Sequence, residues 1–456
     1  SYNVNMIVEH YSVDQGLPNN TVNCTLKDRD GFIWFGTWYG LCCFDGVKFK
    51  TFNKQEHDSD VPPRKIQRIV EDKNGYIWVK TIDRKLYVFN KVTECFHAVY
   101  DDMKNYSENI QVIKLQNTAE GDVLLLTKDK NLLLAGVDEK GQVTIKILFD
   151  SRDEINKHDY TLKHHVLCET EEYISWIGTD YKVSAVHKGA ELASRPADFI
   201  TSKINSGDKD SFTSFFEDGR KVWVGDRAGI FYSIDVRTGL VNRYVLSEIK
   251  GAISNLLVTP AGYVYLSVAG QGTYEYDLAE RRLQKINTEM NDAMVTHAFI
   301  DQYDKIWFHE NEKALIYYDP LNHTAKRFPF TMFGKITTLY SEDAGERGLF
   351  FLSPAGEAWL FDREHAEMVY INKLKQLSND RANQQFYHLM LDNDGVLWLS
   401  SADEGVYCMN FPKKQFNLLS LSPQSAGQEN YTIGVRALFQ SKSGDIWVGT
   451  SWPRVY

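Results

Sequence analysis

Short apolar stretches separated by polar turns run the length of this 456-residue chain, and one phrase recurs among them. It reads Asp-x-x-Gly-x-Ile-Trp-apolar-Gly-Thr, and its clearest copy extends from Asp28 to Thr37. A second copy begins at Asp72, and a third includes Gly444 and Trp447. Self-similarity at a regular spacing decides the architecture, so the sequence is that of a repeat protein.

Aligning the repeats on the tryptophan gives ten copies that are 42 to 52 residues apart. The aligned position always holds a large apolar or aromatic side chain, and seven of the ten tryptophans occur there. A period of about 40–50 residues with strand-like alternation is typical of β-propeller blades, whereas helical repeats would show apolar residues at i, i+3, i+4 and i+7. The aligned residues are Trp34, Trp78, Leu124, Trp176, Trp223, Tyr265, Trp307, Phe350, Trp398 and Trp447.

The first repeat predicts four strands joined by tight turns. Residues 21–26 alternate between polar and apolar, as in a strand with one buried face. Asp28–Gly31 has the composition of a hairpin turn, and the apolar stretch 32–35 follows it. The third and fourth strands are predicted at 41–44 and 47–52. Four antiparallel strands make one blade, and we expect the tryptophan on the second strand to fill the space between neighbouring blades.

Ten repeats exceed the four to eight blades of a usual propeller. The sequence therefore predicts an all-β fold, with one seven-bladed β-propeller in residues 1–320 and the first blades of a second, incomplete β-propeller in residues 321–456. We expect that second ring to continue beyond Tyr456. A ring must close, since an open one leaves a bare strand edge. Ile7–Tyr11 resembles a fourth strand, and we predict that it completes the blade carrying Trp307.

Composition narrows the functional classes. The formal net charge is −10, and nucleic-acid binding needs a basic face, so no nucleic-acid partner is expected. No apolar run approaches the roughly 20 residues of a membrane helix. The six cysteines show no framework spacing and are predicted to be free and buried.

Patterns of catalytic and metal-binding residues are not found. Asp392–Gly395 resembles the start of a calcium loop, but a hydrophobic strand follows at once, which favours a turn. His164 and His165 lack the helical His-x-x-x-His spacing of a zinc site. The sequence also has no Gly-x-Ser-x-Gly elbow and no phosphate-binding glycine loop. We therefore expect no catalytic residues, no metal and no cofactor.

The repeat phrase resembles that of the two-component regulator propeller family, over essentially the whole chain. The opening is similar to the start of the periplasmic sensor region of hybrid two-component systems in polysaccharide-degrading gut bacteria. Repeat three departs from the pattern, with Leu124–Thr127 in place of the Trp and Gly-Thr, and repeat eight is degenerate around Phe350. The matching segments of the opening are Glu9–Ser12, Gly16–Asn20, Asp30–Thr37, Gly40–Leu41 and Phe44–Gly46.

In that family two seven-bladed propellers precede an immunoglobulin-like domain, a membrane helix and a histidine kinase. The resemblance implies that this chain is the periplasmic ligand-sensing region of a hybrid two-component signalling protein. It would bind an oligosaccharide from a complex glycan and pass the signal to a kinase outside this chain, without being an enzyme itself. The parent protein is expected to be a homodimer, anchored in the inner membrane through segments that this chain lacks.

The loops between the second and third strands share one face of a propeller with the blade-connecting loops. In the first ring they are rich in aromatic and charged side chains, which stack on sugars and bond hydroxyl or anionic groups, although any exposed loop is polar. Trp38 is the strongest candidate, because it is a tryptophan outside the packing position. The predicted ligand-binding residues are Trp38, Tyr39, Asp83, Arg84, Asp180, Tyr181, Asp226, Arg227 and Gln271.

Two other functions stay open at the level of the sequence. One is a propeller enzyme, a glycan lyase or hydrolase, and the other is a scaffold for protein–protein interaction. The fold cannot decide between them, since propellers carry all three kinds of function. Turnover of a bound glycan would distinguish an enzyme from a sensor.

Overall fold

The structure, a computed structural model, is almost entirely β-sheet. The chain divides into two units, Ser1–Phe411 and Pro412–Tyr456, which are described separately. The described residues are 6–53, 61–106, 110–129, 131–150, 162–178, 183–189, 197–198, 212–286, 295–311, 313–333, 339–354, 356–373, 386–410, 435–441 and 446–450.

Nine four-stranded antiparallel sheets occur in the described part of the first unit, here called blades 1 to 9 in chain order. Blades 1 to 3 are β2 (Val22–Lys27), β3 (Ile33–Thr37), β4 (Gly40–Phe44) and β5 (Phe49–Phe52); β6 (Ile66–Glu71), β7 (Ile77–Thr81), β8 (Leu86–Asn90) and β9 (Cys95–Ala98); and β10 (Val112–Asn117), β11 (Val123–Thr127), β12 (Leu132–Val137) and β13 (Val143–Phe149). Blades 4 to 6 are β14 (Leu162–Glu169), β15 (Tyr173–Gly178), β16 (Val183–His187) and β17 (Ala197–Asp198); β18 (Phe212–Glu217), β19 (Lys221–Asp226), β20 (Phe231–Asp235) and β21 (Val241–Tyr244); and β22 (Ile253–Val258), β23 (Tyr263–Val268), β24 (Gly272–Asp277) and β25 (Arg282–Lys285).

Blades 7 to 9 complete the unit. Blades 7 and 8 are β26 (Val295–Ile300), β27 (Ile306–Glu310), β28 (Ala314–Asp319) and β29 (Thr324–Pro329); and β30 (Tyr340–Asp343), β31 (Leu349–Leu352), β32 (Glu357–Asp362) and β33 (Glu367–Lys373). Blade 9 is β34 (Phe386–Leu391), β35 (Val396–Ser401), β36 (Val406–Asn410) and the N-terminal strand β1 (Ile7–Tyr11).

Helix is limited to single turns in the described ranges, and none of these helices is long and apolar enough to cross a membrane. The α-helix α1 (Tyr100–Met103) connects blades 2 and 3. Three short 3₁₀ turns lie at Val13–Gln15, Phe330–Phe333 and Gly345–Arg347. In the second unit, β37 (Val435–Gln440) pairs antiparallel with β38 (Ile446–Thr450).

An aspartate in the turn between the first two strands of a blade fixes the repeat tryptophan. In blade 1 the Trp34 indole N–H donates to Asp28 Oδ2 at 2.7 Å, while Asp28 Oδ1 accepts the N–H groups of Asp30 and Phe32. The turn thus uses both carboxylate oxygens, as an Asx turn does, which agrees with the turn predicted there. The same indole–carboxylate bond joins Trp78 to Asp72, Trp223 to Asp218, Trp307 to Asp301 and Trp398 to Asp392.

The tryptophans pack between blades, as predicted. Trp34, Trp78, Trp176, Trp223 and Trp307 are at most 3% exposed. Each of nine apolar clusters of described residues joins two neighbouring blades, and together the clusters make a closed cycle. The hydrophobic core is therefore a series of blade–blade interfaces, and the β-propeller prediction is confirmed.

Glycine in the Gly-Thr pair allows the blades to approach each other near the inner strand. A Cβ atom at Gly36 would lie 2.5 Å from Ile66 of blade 2 and still closer to Cys24 of its own blade. Gly225 is crowded in the same way by Ser214 and Ile253. A side chain of any size at this position must therefore displace its neighbours or be accommodated by smaller ones.

The ring closes between blades 9 and 1. Strand β1 pairs antiparallel with β36, from Ile7 opposite Asn410 to Tyr11 opposite Val406. The apolar cluster at this junction combines Phe35 of blade 1 with Trp398 of blade 9. The N-terminal segment therefore closes the ring, as the edge-protection argument requires.

The partner predicted for β1 is wrong. Blade 7, which carries Trp307, already has its own fourth strand, β29, so its edge is not available. Blades 8 and 9 continue the cycle of packed interfaces, since one cluster contains both Trp307 and Phe351. The described residues consequently show a single closed cycle of nine blades, rather than closure after seven at residue 320.

Deleting residues 1–12 should expose the edge of blade 9. We expect the amide protons of β36 to lose protection from hydrogen exchange, because their hydrogen-bonded partner is gone, while those of β28 in blade 7 stay protected. Hydrogen–deuterium exchange with mass spectrometry measures both strands in one experiment. Loss of protection in β28 instead would restore the seven-bladed closure.

Replacing Trp34 by alanine should cost about 3–5 kcal/mol of unfolding free energy, as for other large-to-small core changes. The matched control is Phe32→Ala, because Phe32 lies two residues away but is 42% exposed. This control should change stability by no more than about 0.5 kcal/mol. Urea denaturation followed by fluorescence measures both, and equal effects would contradict the packing role of Trp34.

Candidate functional site

The loops between the second and third strands of the blades lie on one face of the ring, here called the loop face. The turns after the first and third strands lie on the opposite face, here called the turn face. On the loop face of blade 1, the Thr37 hydroxyl donates to the Gly40 carbonyl at 2.8 Å and accepts the Tyr39 N–H. The Gly-Thr pair thus shapes a tight loop that projects the two residues Trp38 and Tyr39.

Both aromatic side chains of this loop reach solvent. Trp38 is 39% exposed and Tyr39 57% exposed, unlike the buried repeat tryptophans. The Lys65 ammonium lies 5.1 Å from the centre of the Trp38 ring, and the Arg64 guanidinium lies 5.9 Å from that of Tyr39. Each ring is therefore held by a cation–π contact to the segment that enters blade 2.

Backbone hydrogen bonds connect this loop to blades 2 and 3. Lys65 N–H donates to the Trp38 carbonyl, and Ile82 N–H donates to the Lys65 carbonyl, each at 2.9 Å. Farther along, Val112 N–H donates to the Arg84 carbonyl at 2.8 Å. The predicted residues Trp38, Tyr39, Asp83 and Arg84 thus belong to one continuous surface that crosses three blades.

A cavity of about 460 Å³ opens on the loop face between blades 2 and 3. Asp83, Arg84 and Lys85 line one side, and Tyr100 and Met103 of α1 line another. The volume lies in the range of pockets that hold small ligands. Burial opposes ionisation of Asp83, but hydrogen bonds from Thr81 and Lys85 prevail and hold the pKa of this carboxyl below its ordinary value.

A buried lysine lies beside this surface. Lys80 is on β7, opposite Arg68 of β6, in the register where blade 1 has Gly36 opposite Cys24. Its side chain is nearly inaccessible, and its ammonium donates to the Gln67 side chain. Burial, together with the nearby Arg84 charge, lowers the pKa of Lys80 to about 8.

The Arg68 guanidinium extends this set of cations toward the middle of the ring. His388 of blade 9 has a pKa below its ordinary value, because it is buried and because the Arg68 charge acts on it. Arg68 belongs to blade 2, so its charge is felt two blades away. Arg68, Lys80 and Arg84 therefore bring positive charge to the inner part of the same surface.

The other predicted residues have different positions. Asp226 is 1% exposed, and its Oδ1 accepts the N–H groups of Ala228 and Ile230. Burial raises the pKa of this carboxyl despite those bonds. Asp226 follows Gly225 just as Thr37 follows Gly36, and the structure gives it the turn-shaping position of the threonine instead of an exposed one.

The Gln271 side chain also forms hydrogen bonds with backbone groups. Its Oε1 accepts the N–H groups of Lys250 and Gly251, and its Nε2 donates to the Glu248 carbonyl. Arg227 is exposed but lies on blade 5, away from the surface of blades 1 to 3. Asp180 and Tyr181 lie outside the described residues.

The sequence prediction did not include Arg64, Lys65, Lys80 or Tyr100. Lys80 was detectable, because a lysine stands where the repeat phrase has glycine. The other three lie in blade connections, which the repeat pattern does not cover. Their place on the surface follows only from the fold.

Comparison with known proteins finds a family model that matches one short segment of the chain. The family model described as two component regulator propeller matches residues 16–39, which confirms the resemblance over that segment. A comparison with curated proteins finds no match.

Several solved structures are similar to this chain over most of its length. The extracellular domain of BT4673 from B. thetaiotaomicron, described as a hybrid two component system, is 13% identical, with 96% of this chain and 69% of that chain covered and a TM-score of 0.36. The corresponding domain of BT3049 from B. thetaiotaomicron is 15% identical, with 99% and 65% covered and a TM-score of 0.33. The Dos1 propeller is 12% identical, with 88% and 93% covered and a TM-score of 0.45.

Replacing Lys80 by methionine should stabilise the protein in a pH-dependent way. The folded-state pKa is lowered below the ordinary value of 10.5, so below about pH 8 both states carry the proton and the folded state bears the full cost of burial. That cost, up to about 3 kcal/mol, disappears as pH rises toward 10.5, because the folded state releases the proton first.

The measurement is urea denaturation of both proteins at about pH 7 and about pH 10. We expect Lys80→Met to be more stable at the lower pH and the two proteins to converge at the higher. Lys73→Met is the control, because Lys73 is in the same blade but is 54% exposed. A Lys80→Met advantage that does not change with pH would contradict the buried charge.

Proposed function

We propose that this chain is the ligand-sensing propeller region of a hybrid two-component signalling protein and that it binds an oligosaccharide from a complex glycan. The family match at residues 16–39 supports a two-component regulator. The observation that supports an oligosaccharide ligand is the exposed pair Trp38 and Tyr39, on the same surface as a cavity lined by Asp83 and Arg84. Aromatic rings with adjacent charged groups suit the mixed C–H and hydroxyl surface of a sugar.

We propose that the surface accommodates several sugar units, because it crosses parts of three blades. It begins at the aromatic loop of blade 1, crosses Lys65 and Ile82, and ends in the cavity between blades 2 and 3. Ile82 is 45% exposed and Tyr100 is 63% exposed, so apolar area continues along it. An extended oligosaccharide would contact both the loop and the cavity, whereas a single sugar would occupy only one of them.

The same family match supports a proposal for the cellular location and assembly of the parent protein. We place the chain in the periplasm, in a parent protein that is a homodimer anchored in the inner membrane. In this proposal the chain itself does not change its ligand, and the kinase lies outside it. Product analysis after incubation with candidate oligosaccharides tests the first point, and repeated turnover would favour a propeller enzyme.

Trp38→Ala should weaken oligosaccharide binding about tenfold, since stacking on one aromatic ring is worth about 1 kcal/mol or slightly more. Phe32→Ala is the matched control, because Phe32 is equally exposed in the same blade but lies on the turn face. A panel of oligosaccharides from plant and animal glycans is first screened by thermal shift, and hits are measured by isothermal titration calorimetry.

The expected result is a loss of affinity in Trp38→Ala with an unchanged melting temperature, and no loss in Phe32→Ala. Equal affinity of Trp38→Ala and the parent chain would place the ligand elsewhere. Equal losses in both variants would show a nonspecific effect of removing an aromatic side chain.

A further inference from the structure

The two faces of the ring differ in how their cations are neutralised. On the turn face, Lys91 of blade 2 lies within 3.1 Å of both Asp28 and Asp30 of blade 1. Many ion pairs on the turn face join neighbouring blades in this way, so the charges on this face stabilise the contacts between blades. Further pairs of this kind in the described residues include Lys27–Asp392, Lys27–Asp394, Arg29–Glu71, Lys50–Glu94, Lys73–Asp122, Lys188–Glu120, Arg237–Glu172 and Arg363–Asp301.

On the loop face of blades 1 to 3, most cations have no such partner. Lys85 pairs with Asp83 at 3.3 Å. Lys104, just after α1, pairs with Asp101 at 3.4 Å. Within the described ranges, six further cations there have no carboxylate within ion-pair distance, although the chain has ten more acidic than basic residues. These unneutralised residues are Arg64, Lys65, Arg68, Lys80, Arg84 and Lys128.

Lys80 shows that the excess of positive charge on the loop face is built into the fold. Its ammonium is buried where the repeat has a small residue, and its hydrogen bond goes to the neutral Gln67 side chain. A buried charge without a counter-charge destabilises the protein that carries it. Such a charge is stabilised when a ligand brings a negative charge near it. Arg68 is the register partner of Lys80, and the Arg84 charge acts on Lys80.

We infer that the oligosaccharide is an anionic one, with a carboxylate or sulfate group bound by the exposed Arg68 and Arg84 beside the buried Lys80 charge, while neighbouring sugar units contact Trp38 and Tyr39. This inference rests on the proposed function and specifies the class of glycan. A neutral oligosaccharide would leave the cations of this surface unneutralised. Uronic-acid glycans and sulfated glycans share the required chemistry, and the experiment separates them.

The turn face offers a contrast that argues against a second site of this kind. A cavity of about 500 Å³ there is lined by Arg29, Asp30 and Lys91 among others. Its two cations are already paired, Arg29 with Glu71 and Lys91 with three carboxylates. An anion would have to break these pairs, so it gains less there than beside Lys80.

The test uses pairs of tetrasaccharides with the same sugar backbone and different charge, with the full 456-residue chain and calorimetry. Tetragalacturonate is compared with its fully methyl-esterified form, and a chondroitin sulfate tetrasaccharide with its desulfated form. We expect at least one acidic probe to bind about tenfold or more tightly than its charge-reduced partner. Preference for tetragalacturonate over its ester assigns the carboxylate, and preference for the sulfated probe assigns the sulfate.

Variants then locate the charge. Lys80→Met should weaken the preferred acidic probe about tenfold or more without lowering the melting temperature, and raising the salt concentration should weaken binding in the parent chain. Lys73→Met removes the same charge from the turn face of the same blade and should leave affinity unchanged. Equal losses in both lysine variants would overturn the placement, since they would reflect net charge alone.

The outcomes separate this inference from the proposed function. Binding of neutral oligosaccharides with no preference for acidic ones would overturn the anionic ligand but keep a glycan sensor. If neither acidic nor neutral oligosaccharides bind, both are overturned. Binding of an acidic probe that is lost in Lys80→Met and retained in Lys73→Met supports both the anionic ligand and the glycan sensor.

Discussion

The hydrogen bond from a repeat tryptophan to the aspartate of its own turn is the interaction on which the architecture depends. It joins a local event, the Asx turn at Asp28, to a long-range one, the packing of Trp34 between two blades. Because the carboxylate accepts from both the turn and the indole, neither can shift without the other. Five described blades show this bond, so most of the ring is set by the same short phrase.

Sequence reasoning succeeds where the determinants are local. The blades, their strand order and the buried tryptophans follow from turn chemistry and from alternation within each repeat. The prediction of where the ring closes is wrong, because closure depends on the rotation between blades summed around the ring. No single residue encodes that sum. Thr324–Pro329 also reads as a polar stretch, which hides the strand that completes blade 7 and excludes β1 from it.

The candidate site is predictable to a smaller extent. Trp38 was identified because the repeat pattern does not explain it, and its exposure agrees with that reasoning. The sequence predicts Asp226 and Gln271 as ligand-binding residues because they are polar loop residues. In the structure both accept hydrogen bonds from backbone N–H groups, which composition alone does not reveal. Lys80 is hard to predict as buried, because a lysine on a strand usually reaches solvent. Its burial results from the blade that faces it, which is known only from the fold.

The closure of the ring by β1 also has a mechanical consequence. Ile7 lies opposite Asn410, so the chain enters and leaves this sheet at the same end of one antiparallel pair. Tension between the segments preceding Ile7 and following Asn410 would load the hydrogen bonds one after another, as in a zipper, rather than all together in shear. Such a junction yields at low force while the eight blades with consecutive strands remain intact. Blade 9 is therefore the point at which a pull on the chain would open the ring.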